Sequence, residues 1–109
     1  MKRIDAVFAA LGDPTRRQIL RLVTESAPVT ATALADRLPI TRQAVVKHLG
    51  VLQEAALVSA ERVGRETHWT PTLAPLAHVD TWVDDVAARW DARLDRLTDV
   101  VSERRRAPR

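Results

Sequence analysis

The chain has 109 residues, a formal net charge of +3, 46% hydrophobic and 28% charged side chains, and no cysteine. That is one domain's worth of chain with apolar content for a single core, which excludes wholesale disorder, disulfides and thiolate metal sites. No apolar run approaches the ~18 residues of a membrane-spanning helix, and Met1-Lys2-Arg3-Ile4-Asp5 leads into no apolar signal core. No membrane partner and a cytoplasmic location are therefore expected.

In chain order, Ile4, Val7, Phe8 and Leu11 fall at helical spacing, and Gly12 ends that helix. Asp13-Pro14 starts a second helix, with Asp as N-cap and Pro at the first helical position. It runs to about Glu25 on the stripe Ile19, Leu20 and Val23. Thr30 caps a short third helix with Leu34, Ala35 and Leu38, and Pro39 ends it. Thr41 caps a fourth, to about Ala56, with Val45, Leu49 and Leu52 facing one way. Two helices this close in sequence form a helix-turn-helix pattern. Leu57–Val63 and Glu66–Thr70 read as a hairpin turning at Gly64-Arg65. The last helix is expected over about 72–103, with Leu76, Val79, Val83, Val86, Trp90, Leu97 and Val100 close to heptad spacing. Such a helix would be about 48 Å long. One small domain cannot cover all of it, so a partner chain is expected on it.

The expected fold is mainly α with a small β-hairpin wing: a winged helix-turn-helix with a long C-terminal dimerisation helix. Residues 1–103 form the single domain, and 104–109 a loose basic tail.

The charge is unevenly placed. Residues 1–71 carry 10 basic and 7 acidic side chains, residues 72–103 carry 3 and 7, and Arg104, Arg105, Arg106 and Arg109 follow. A locally basic front points to a particular face that meets phosphate.

The segment Ala10-Leu11-Gly12-Asp13-Pro14-Thr15-Arg16-Arg17-Gln18-Ile19-Leu20 resembles the opening signature of the ArsR-type bacterial transcriptional regulators. Thr41-Arg42-Gln43-Ala44-Val45-Val46-Lys47-His48-Leu49-Gly50-Val51-Leu52 resembles their recognition helix. Ala56-Leu57-Val58 with Arg62-Val63-Gly64-Arg65-Glu66 resembles their wing. The likeness covers about residues 5–70, and extends more loosely into the last helix through Trp82 and Trp90-Asp91-Ala92-Arg93-Leu94. It implies a homodimeric repressor on double-stranded operator DNA, often released by an effector. Many members sense metals through cysteines or a histidine–carboxylate set on the last helix. This chain has no cysteine, and only His78 on that helix. It resembles the branch without a metal site, and no cofactor is expected.

If Val45, Leu49 and Leu52 face the core, then Arg42, Gln43, Val46 and Lys47 point outward. A helix fits the major groove and reads bases with its N-terminal residues. Arg42 suits guanine, Gln43 adenine and Val46 a thymine methyl, while Lys47 suits phosphate. Thr41 offers a helix N-terminus to phosphate. Arg62 and Arg65 at the hairpin tip suit a minor groove or its phosphates. His48 and Arg17 complete the candidate DNA set. Arg16 and Arg17 have a second account, salt bridges to the acidic last helix. The blander reading of Arg42, Gln43 and Lys47 is a solvated helix face, of Arg62 and Arg65 an ordinary charged turn, and of His48 a packed or capped histidine.

The candidate dimer surface is Val7 and Phe8 with Leu76, Val79, Trp82, Val83, Val86, Trp90 and Leu97; packing within one chain is the alternative for the tryptophans. Arg89, Arg93 and Arg96 are expected to pair with acidic neighbours on their own helix. His78 and Asp80, two residues apart, do not share a helical face and make a poor start to a metal site. There is no phosphate loop, nucleophile elbow or metal-hydrolase motif, so an enzyme is not expected. The alternatives to a DNA-binding regulator are a winged-helix protein-interaction module without DNA binding, and a metal- or small-molecule-responsive sensor of the same fold.

Overall fold

The computed structural model describes residues 3–106. The chain falls into two compact units, the first ending at Val79 and the second beginning at Asp80. The first holds α1 (Arg3–Leu11), α2 (Pro14–Ser26), α3 (Ala31–Ala35), α4 (Arg42–Glu54), β1 (Val58–Val63) and β2 (Glu66–Pro71), together with the first residues of α5 (Leu76–Arg106).

Short side-chain oxygens start three of these helices. Asp13 Oδ2 accepts from the Arg16 N–H at 2.9 Å, with Pro14 opening α2. Thr30 Oγ1 accepts from Ala33 N–H and Thr41 Oγ1 from Ala44 N–H, both at 3.1 Å. Each satisfies a backbone donor that the helix itself cannot, typically ~1 kcal/mol.

The end of α1 is held from a distance. Arg16 donates from Nε to Ala10 O at 2.8 Å and from Nη2 to Ala9 O at 3.0 Å. Arg17 donates from Nη1 to Leu11 O at 2.6 Å. Cations suit the carbonyl-rich end of a helix. Both guanidiniums therefore cap α1, a role that neither sequence account of the pair included.

The core joins Val7 of α1 and Ile19 and Val23 of α2 to Leu34, Val45, Leu49, Leu52 and Leu57, all essentially fully buried. Burying each such side chain is worth roughly 1.5–3 kcal/mol. Val7 therefore has no surface to give a dimer, a correction to its expected role. Trp69 of β2 is also buried, and its backbone exchanges two hydrogen bonds with Val29, at 2.8 and 3.1 Å. That bridge ties the wing to the segment between α2 and α3.

Helix α4 ends in a Schellman turn. Ala56 N–H reaches Gln53 O and Leu57 N–H reaches Leu52 O, both at 2.9 Å. Ala56 takes φ 59° to do so. The strands are antiparallel, from Val58 opposite Pro71 to Val63 opposite Glu66. Gly64, at φ 62°, supplies the left-handed residue the tight turn needs.

Two boundaries differ from the sequence reading. Helix α5 starts at Leu76 rather than 72, because Pro75 lacks a helical donor and disfavours helix at Ala74. It also runs on through Arg104–Arg106, which are helical rather than a loose tail. Arginine is a good helix former and suits a helix C-terminus. The rest of the expected tail, 107–109, lies outside the described residues. In the second unit the apolar residues of α5 lie on the surface, and no described helix is long and apolar enough to cross a membrane.

Candidate nucleic-acid interface

The buried stripe Val45, Leu49 and Leu52 fixes how α4 rolls against the core. Arg42, Gln43, Val46 and Lys47 are consequently exposed. Arg42 is steadied from α3, donating from Nε to Thr32 Oγ1 at 3.2 Å. The wing approaches the same side. A groove of about 310 Å³ runs between the two helices and the hairpin, lined by Thr30, Ala31 and Thr32, by Arg42 and Val46, and by Arg62, Arg65, Glu66, Thr67 and Trp69.

Three guanidiniums thus converge on one groove, against the single carboxylate of Glu66. Arg62 donates from Nε to Gly64 O at 3.2 Å, which shapes the wing tip. An electropositive groove with a helix N-terminus at its edge suits a phosphate-bearing strand. Sequence reasoning missed Thr32 and Thr67 as groove residues. Period-2 placement of Thr67 and Trp69 on one strand was the available signal, but two neighbours on a weakly alternating strand do not reveal a groove wall.

The structure does not bring every candidate here. Gln43 and Lys47 are exposed on α4 but do not line the groove. Half-buried His48 places Nδ1 3.9 Å from Asp13 Oδ2, facing the start of α2. Arg17 lies elsewhere, on an apolar groove of about 360 Å³ walled by Leu11, Leu20, Leu73 and Leu76.

Of the dimer candidates, Phe8 is 37% exposed, while Leu76 and Val79 are partly buried against the first unit's core. In the second unit Trp82, Val83, Val86, Trp90 and Leu97 are all about half exposed. Arg89 makes the expected intrahelical pair, with Asp85 at 3.2 Å. Among the described residues no three His, Cys, Asp or Glu side chains are grouped to hold a metal ion.

Residues 11–59 match the family model of a helix-turn-helix domain. The HTH-type transcriptional regulator YuzN of Bacillus subtilis (strain 168) is 48% identical over 67 residues, 56% of this chain and 73% of the relative. The transcriptional repressor SdpR of the same bacterium is 31% identical over 77 residues, 71% and 84% of the two chains. Among solved structures, an ArsR-like transcriptional regulator from Rhodococcus sp. RHA1 superposes with TM-score 0.77 at 38% identity, over 90% of this chain and 92% of that one. The chain belongs to the ArsR family of winged helix-turn-helix transcriptional regulators. As an ArsR-family regulator it is a DNA-binding protein and not an enzyme. The sequence motifs, the fold and the family coincide: α3 and α4 are the helix-turn-helix, and β1–β2 is the wing.

Proposed function

We propose that this ArsR-family regulator is a cytoplasmic homodimeric repressor that reads a two-fold operator. Residues 1–103 act as one functional domain, with α5 serving dimerisation. Helix α4 enters the major groove, where Arg42, Gln43 and Val46 meet base edges and Thr41 and Lys47 meet phosphate. Arg62 and Arg65 extend the contact to the neighbouring minor groove.

The convergence of Arg42, Arg62 and Arg65 on the groove beside α4 carries this reading. Three guanidiniums beside an exposed helix N-terminus favour a phosphate-bearing partner over a neutral protein surface. SdpR, by its name a repressor, supports the sign of regulation. Footprinting on an operator selected from random duplexes tests it. Two protected half-sites with centres about 34 Å apart are expected. A single protected site contradicts the two-fold reading.

A small-molecule effector is the second reading, favoured by the apolar groove at Leu11, Leu20, Leu73 and Leu76. An apolar ligand that raises Tm and lowers operator affinity supports it. A ligand that raises Tm and leaves that affinity unchanged contradicts it.

A further inference from the structure

The groove between α3, α4 and the wing sets three guanidiniums, Arg42, Arg62 and Arg65, against the one carboxylate of Glu66, a net charge of +2 among its lining residues. Two of the three are already steadied through Nε, Arg42 on Thr32 Oγ1 and Arg62 on Gly64 O, both at 3.2 Å. Their terminal nitrogens stay uncommitted. Among the described residues, the Arg65 guanidinium and the Thr67 hydroxyl have no hydrogen-bond or ion-pair partner. Trp69, largely buried, backs the groove. At about 310 Å³ the space lies at the compact end of small-ligand pockets. Arg42 comes from α4, whereas Arg62 and Arg65 come from the wing. A ligand that meets all three spans from helix to hairpin. One phosphate group fills one arginine fork, and two linked phosphates serve forks on both walls.

We propose that this groove binds a soluble diphosphate group, free or carried by a nucleoside, and that such a ligand regulates the protein by direct competition with the operator. The competition rests on the DNA reading above; the binding site does not. Arginine's planar fork takes phosphate oxygens two at a time, and the Thr67 hydroxyl adds a neutral donor. Three cations lining one groove repel one another, so an anion that joins them gains more than its separate contacts. A duplex needs the same guanidiniums. With α4 in the major groove and the wing in the neighbouring minor groove, the backbone strand between those two grooves passes over the space between α4 and the wing. Ligand and operator therefore exclude each other. By mass action, the apparent operator Kd is multiplied by one plus the ratio of ligand concentration to ligand Kd. The site is distinct from the apolar groove at Leu11 and Leu20 and takes the opposite chemistry.

Inorganic pyrophosphate and ADP are titrated by calorimetry into the DNA-free protein at constant ionic strength. One saturable site per chain is expected. Tighter pyrophosphate assigns the site to the free diphosphate, and tighter ADP to a nucleoside diphosphate. Arg65→Ala is expected to weaken binding about tenfold or more, and Thr67→Val about threefold. Glu66→Gln should tighten it. Arg21→Ala removes an arginine outside the groove and should leave it unchanged. No saturable binding overturns the site. So does an equal loss in Arg65→Ala and Arg21→Ala, which is an effect of net charge alone. Operator titrations then compare pyrophosphate with sodium chloride of equal ionic strength. Pyrophosphate at about ten times its own Kd should raise the operator Kd about tenfold above the chloride control. An equal operator Kd in the two buffers overturns the competition alone. A protein that binds pyrophosphate but no duplex upholds the site and overturns the DNA reading.

Discussion

Arg42, the first residue of α4, donates from Nε to Thr32 Oγ1 of α3 at 3.2 Å. One side chain therefore links the two helices of the motif and still has its terminal guanidinium nitrogens to offer a base. A bidentate arginine–guanine contact is worth about 1–3 kcal/mol of discrimination. Arg42→Ala should lower specific affinity by about that amount and relax base choice at one position. Thr32→Val should cost less, roughly 0.5–1.5 kcal/mol, since it removes only the hydrogen bond that orients the arginine. Titrations of operators with single base changes measure both. Equal discrimination in wild type and Arg42→Ala contradicts base reading by Arg42.

Lys47 and Arg17 should behave in opposite ways. Lys47 is exposed on α4, and Lys47→Ala should weaken binding to all sequences similarly and reduce the salt slope by about 1. Arg17 is bound to the Leu11 carbonyl at the end of α1. Arg17→Ala should leave the salt slope unchanged. A slope that falls by about 1 in Arg17→Ala would restore that residue to the DNA surface.

Arg16 is the more buried of the two caps and makes two hydrogen bonds to α1 carbonyls. Charge-assisted bonds of this kind are worth more than neutral ones. Arg16→Met keeps much of the apolar stem and should lower stability by about 1–2 kcal/mol. Urea titration with an unchanged m-value is the check, and an unchanged midpoint contradicts a capping role.

Ala56 sits at φ 59° in the turn that closes α4. A Cβ is unfavourable there by roughly 1–2 kcal/mol, part of which glycine gives back through its unfolded-state entropy. Ala56→Gly should therefore stabilise the protein by about 0.5–1 kcal/mol, a rise of a few degrees in Tm. A fall in Tm would show that the turn gains more from the side chain than it loses in backbone strain.

Much of this was legible because its causes are local. Asp13, Thr30 and Thr41 are N-caps by residue type and position, and each accepts the expected backbone N–H. The stripe Val45, Leu49 and Leu52 sets the outward face of α4 by periodicity alone. The rest depends on contacts between elements. Nothing in the residue types of Arg16 and Arg17 says that their guanidiniums return to α1 carbonyls six or seven residues earlier. The Val29–Trp69 bridge joins segments forty residues apart, and only the packed wing reveals it. Val7 shows a third limit. Its helical spacing marks an inward face, but not whether the core behind that face belongs to one chain or two.

The central claim is that the face built by α4 and the wing reads a DNA sequence. Fluorescence anisotropy of the protein with its selected operator and with a shuffled duplex, over a salt series, tests it most directly. The account predicts that the operator is bound about 10³-fold or more tightly than the shuffled duplex, with steeply salt-dependent affinity for both. Equal affinity for the two duplexes at every salt concentration would contradict it.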